Sequence, residues 1–119
     1  MGADAHPLAR FRRALGAGSL AQAEAAAREL GQLEDEDALR LLLLLFKEGD
    51  GRYERAAVRF LGRVLATHPG IGFVGAGDLL SGLKELGGPN HLVARSRIAS
   101  GLRQAGLKRA AERAVRDPA

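Results

Sequence analysis

The sequence predicts an all-α fold, and three observations predict it. Apolar residues recur at spacings of three and four along nearly the whole chain, the period that lines one face of a helix. Glycine and proline fall between those periodic segments, where helices stop and start. No Val- or Ile-rich run alternates apolar with polar residues, so no strand is expected. The prediction is six or seven short helices packed as antiparallel hairpins, in one helical domain over residues 1–119.

Each element has its own signal. Leu8, Phe11 and Leu15 follow Pro7, which suits a first helical position, and Gly16 and Gly18 close that helix. Ser19 and Gln22 have capping-box spacing ahead of a second helix, with Leu20, Ala23, Ala27 and Leu30 on one face. Glu34, Asp35, Glu36 and Asp37 put four carboxylates at the start of a third helix, over about 37–48, where the helix dipole favours negative charge. That helix carries Leu39, Leu41, Leu42, Leu43, Leu44, Leu45 and Phe46, and a helix apolar all round belongs at the centre of its domain.

A fourth helix, over about 52–67, buries Tyr53, Ala56, Ala57, Phe60, Leu61, Val64 and Leu65 and sets Arg55, Arg59 and Arg63 on the opposite side. His68 and Pro69 stop it. Residues 70–77 read as a glycine-rich loop whose Ile71, Phe73 and Val74 tuck onto the core. Asp78 then caps a fifth helix to Leu86, with Leu79, Leu80, Leu83 and Leu86 inward. Pro89 opens a sixth, with Leu92, Ala99 and Leu102 on its apolar side. Past Gly106, a last helix over about 107–116 shows Leu107, Ala110, Ala111, Ala114 and Val115 on one face.

The second, fourth and sixth helices begin near Ser19, Arg52 and Pro89. A shift of about 34 residues superposes Ala23 on Ala57, Ala27 on Leu61 and Leu30 on Val64. That spacing, with Pro69 following, resembles tetratricopeptide-like arrays over residues 8–104. The Trp, Leu-Gly and Tyr signature of that family's first helix is missing, and His91 and Arg95 break the third unit. An irregular bundle gives the same spacing, so a short solenoid and a bundle both remain open. Phe11 to Leu15, Ala23 to Leu30 and Arg52 to Leu61 also resemble short uncharacterised helical proteins of high-GC Gram-positive bacteria. That resemblance implies a bacterial cytosolic setting and no activity.

Composition narrows the function classes. The chain has no cysteine, which removes disulfides and thiolate metal sites and suits a cytoplasmic location. Its longest apolar run, Leu41 to Phe46, is far short of the ~20 residues of a membrane span, so no membrane partner is expected. Residues 1–7 lack a basic segment followed by an apolar one, so no secretory leader is expected.

No catalytic, cofactor-binding or metal residue is assigned, and no cofactor is expected. Gly70, Gly72 and Gly75 spell G-x-G-x-x-G, but a helix and Pro69 precede it where a dinucleotide site needs a strand. Ser81 to Lys84 spells S-x-x-K without its companion motifs. His6, His68 and His91 have no second ligand at helical spacing. The four carboxylates at the third helix point to different sides of a helix start and do not converge.

Charge is uneven. The formal net charge is +4. Arg95, Arg97, Arg103, Lys108, Arg109, Arg113 and Arg116 against Glu112 and Asp117 give residues 89–119 a net +5. Two functional expectations follow. The first is a helical-repeat-like protein–protein interaction module, rather than an enzyme, with another protein as partner. The second is a nonspecific nucleic-acid binder using those seven cations as a phosphate-contacting face. It requires them to converge, and it loses its basis if they pair with the acidic start of the third helix.

Overall fold

The computed structural model describes residues 6–117. Among these residues lie seven α-helices: α1 (Pro7–Ala17), α2 (Leu20–Leu30), α3 (Asp35–Lys47), α4 (Tyr53–Thr67), α5 (Gly72–Glu85), α6 (His91–Gln104) and α7 (Lys108–Arg116). A 3₁₀ turn, Pro69–Ile71, links α4 to α5. None of these helices is long and apolar enough to cross a membrane.

Packing is mostly sequential. Helices α1 and α2 form one hairpin, α5 and α6 a second and tighter one, and α7 folds against α6. The exception is long-range: α7 also returns to pack on α3. That return departs from a simple solenoid, in which each hairpin touches only its neighbours.

The larger apolar cluster unites α3 to α7 through Leu39, Leu43, Val64, Leu79, Ile98 and Leu102, with the alanines Ala110, Ala111 and Ala114 of α7. A smaller cluster holds the α1–α2 hairpin together through Phe11, Ala14, Ala23 and Ala26. Leu33 and Leu41 pack against that smaller cluster from the third helix and its approach. Helix α3 therefore serves both clusters, which explains its all-round apolar sequence: Leu39, Leu42, Leu43, Leu44 and Leu45 are all buried.

Several elements differ from the sequence expectation. The expected glycine loop at 70–77 is the 3₁₀ turn followed by the first turns of α5. Only Ile71 of its three apolar residues is buried; Phe73 and Val74 are exposed. Asp78 lies inside the helix, not at its cap, and accepts from Ser100 Oγ at 3.0 Å. Ser19 and Pro89 also differ: Ser19 makes no side-chain cap bond, and α6 begins at His91 after Asn90. Leu65, Leu80, Leu92 and Val115, expected inward, are exposed.

Glycine is tolerated in α5 because the helix pair α5–α6 needs it. A β-carbon on Gly82 would lie 2.7 Å from both the Ala94 carbonyl oxygen and the Ile98 nitrogen. One on Gly101 would lie 2.7 Å from the Gly75 carbonyl oxygen. Two glycines seven apart on α5 thus meet Ala94 and Gly101, seven apart on α6, in antiparallel register. The backbones approach more closely than any side chain permits, and this offsets the helix propensity that glycine forfeits.

Gly82→Ala should therefore lower stability by about 2 kcal/mol through overpacking against backbone. Gly16→Ala, in α1 with open space around its β-carbon position, should raise it by about 0.5 kcal/mol. Urea denaturation of the two variants checks both signs.

Candidate interaction surface

The acidic start of α3 disposes of much of the molecule's charge internally. Asp37 is buried and accepts a bidentate contact from Arg12 of α1, at 3.2 Å from Nε and 3.0 Å from Nη2. Asp35 faces α4: Arg63 Nε and His68 Nε2 each lie 3.1 Å away. Glu36 faces α7, accepting from Arg113 Nε at 2.8 Å with Arg109 at 3.9 Å. Successive positions on a helix start point about 100° apart, so three adjacent carboxylates reach three different helices. They do not form a convergent acid cluster, and among the described residues no group of three or more His, Cys, Asp or Glu could hold a metal ion.

Two further clamps hold the α1–α2 hairpin. Arg10 and Glu29 join α1 to α2 at 2.8 Å, and the guanidinium holds the Glu29 carboxyl below its usual range. Arg52 bridges Asp50 in the α3–α4 turn and Glu24 of α2, each at 2.9 Å. Hydrogen bonds from the Arg52 side chain, then from its backbone N–H, lower the Asp50 carboxyl to about 2.

Four of the seven cations proposed from sequence lie against protein acceptors. Arg95 is only 8% exposed, and its guanidinium donates to the Asp117 carbonyl. Arg109 and Arg113 face Glu36. Arg97 lies 3.6 Å from Glu85. Arg103, Lys108 and Arg116 are exposed and make no ion pair among the described residues. The last two lie on α7, Arg103 on α6.

Exposed apolar side chains stand on α4 and α5, with Leu92 and Val93 on α6 and Val115 on α7. Phe73 is 98% exposed, Val74 71%, Val58 63%, Leu80 45% and Leu65 38%. Tyr53 sets the register of this helix pair: its hydroxyl donates to the Leu83 carbonyl at 2.9 Å. Beside it, Glu54, Val58 and Leu61 of α4 and Leu80, Leu83 and Lys84 of α5 line one cleft of about 320 Å³. Phe46 and Tyr53 form its aromatic end, their rings edge-to-face at 5.3 Å. Burial raises the Tyr53 phenol to about 12.

The helices run antiparallel, so moving seven residues forward from Val58 and seven back from Leu80 sets Leu65 across from Phe73, next to the connecting turn. The cleft itself ends at Leu61 and Leu80. Sequence reasoning missed this exposed apolar surface because it sent Leu65, Phe73 and Leu80 to the core. The available signal was excess: α4 carries more apolar positions, Val58 among them, than one buried stripe takes.

Comparison with family models, with curated proteins and with solved structures finds no match to this chain.

The carboxylate hub yields a graded expectation. Asp37→Ala should cost about 2 kcal/mol, because it strips a half-exposed Arg12 of a buried bidentate acceptor. Arg109→Ala should cost less than about 0.5 kcal/mol, the range of surface substitutions. Chemical denaturation of both variants measures the difference.

Proposed function

We propose that this chain is a helical interaction module whose docking face is the α4–α5 cleft and the exposed apolar side chains of those two helices. The observation that carries the reading is Phe73, a phenyl ring almost wholly in solvent, seven residues before the exposed Leu80 on α5. An apolar side chain of that size left in water forfeits about 1.5–3 kcal/mol of burial. Contiguous exposed apolar surface rimmed by polar residues marks an interaction site. Here Glu54 and Lys84 supply the rim at one end. The absence of cysteine fits a reducing, cytoplasmic setting for such a module.

Nucleic-acid binding through Arg95, Arg97, Arg103, Lys108, Arg109, Arg113 and Arg116 has less support. Four of the seven face protein acceptors, and phosphate contact would have to displace them.

Benzoylphenylalanine in place of Phe73, irradiated in the cell, should give a discrete protein adduct that disappears when Leu80→Asp is added. The same probe in place of Arg103 should give none. Equal labelling from both positions, or none from position 73, contradicts the reading.

A further inference from the structure

Three clefts, of about 230, 390 and 270 Å³, lie where α2, α3 and α4 meet. They are continuous with one another. Leu41 lines all three. Leu33, Ala38 and Arg63 are common to the first and second, and Leu45, Ala56 and Arg59 to the first and third. The shared surface is therefore apolar, with α3 supplying most of it. Its cations are arginines: Arg28 from α2, and Arg55, Arg59 and Arg63 from α4. None of these residues lines the α4–α5 cleft, so the two faces are separate.

The charge of this groove is unbalanced. Among the described residues, Glu24 is the only carboxylate lining it, and Arg52 already holds that group at 2.9 Å. Arg63 is held by Asp35. Arg28, Arg55 and Arg59 are exposed and make no ion pair among the described residues. Arg55, Arg59 and Arg63 also stand four apart on α4, a spacing at which like charges are neighbours and repel. Asp35 relieves one of the three. The other two, with Arg28, lack a counter-charge that a ligand could bring.

The floor decides which anionic ligand fits. A sugar-phosphate backbone would meet the arginines but leave leucine beneath it, and the groove offers no exposed aromatic ring on which a base could stack. A helix with an apolar stripe flanked by carboxylates satisfies floor and cations together, in the helix-in-groove mode of recognition. Length agrees. The α4 residues along the groove run from Arg52 to Arg63, about 16 Å at 1.5 Å per residue. That is about three turns of a bound helix, with apolar side chains at i, i+3 or i+4 and i+7 to enter the three clefts.

We infer that the groove where α2, α3 and α4 meet takes an acidic amphipathic helix of a partner protein, its apolar stripe on Leu33, Leu41 and Leu45 and its carboxylates on Arg28, Arg55 and Arg59. This site is independent of the α4–α5 face and stands or falls without it.

Selection of random displayed peptides of about 16 residues, long enough for four helical turns, against the purified chain tests it. Enriched peptides should be net negative, with apolar residues at helical spacing. A labelled peptide from that pool should bind more weakly as salt rises. Its affinity should fall about a hundredfold or more when Arg55→Glu and Arg59→Glu are combined, since like charges would then face each other. Both arginines are exposed and without an acceptor, so this variant should melt with the parent chain.

Exchanging the peptide's carboxylates for lysines should restore binding to the double variant and abolish it with the parent chain, a reversal that loss of structure cannot produce. Phe73→Asp should leave the peptide bound. Peptides without net negative charge, peptides that bind the double variant as tightly as the parent, or no enrichment at all overturn the inference. Peptides lost with Phe73→Asp and kept by the double variant also overturn it, while supporting the α4–α5 face. A random DNA duplex that displaces the selected peptide and is itself released by the double variant assigns these arginines to phosphate and overturns the acidic helix as their ligand.

Discussion

Helix α3 has no solvent side to give away, and the rest of the structure follows from covering it. Five of its leucines are buried. A helix apolar all round needs neighbours all round, and the chain supplies them from both directions. The α1–α2 hairpin comes from before it, α4 from just after, and α7 from the far end. The acidic first turn fixes where those neighbours sit: Asp37 takes Arg12, Asp35 takes Arg63, and Glu36 takes Arg113. Burial is non-directional; these contacts are not. They turn a general requirement for cover into one arrangement of helices.

Glycine has two distinct uses here. In the α5–α6 hairpin it allows backbones to touch, and any β-carbon would collide. At Gly62 of α4 and Gly77 of α5 an added β-carbon would meet open space. The same residue type is thus a packing device on the inner face of α5 and solvent-exposed on the other. Gly75 and Gly82 lie on one side of that helix, Gly77 on the opposite side.

Much of the fold was legible. The 3–4 periodicity gives the helices, and the leucine run with its acidic start marks α3 as the centre. The start of α5 was not legible, because Gly70, Gly72, Gly75 and Gly77 read as breakers by propensity. Tertiary contact with α6 overrides that preference. The exposure of Phe73 was missed through the same misreading, since a loop residue tucks where a helical residue on the outer face cannot; Leu80 was read as helical, but Leu79 and Leu83 take the buried face. The charge count was accurate, but it carried no partners. Arg113 and Glu36 stand 77 positions apart, and no local spacing reveals that they meet. Four of the seven cations of residues 89–119 proposed from sequence thus have acceptors that the sequence did not disclose.

Native-state hydrogen exchange, resolved by residue, tests the central role of α3 most directly. If α3 is the common support, the amides of Leu42 to Leu45 exchange slowest, through global unfolding. The α1–α2 hairpin, held by a small alanine-rich cluster and a few ion pairs, opens earlier and leaves α3 protected. Exchange of α3 ahead of α1–α2, or at the rate of frayed helix ends, would contradict the account.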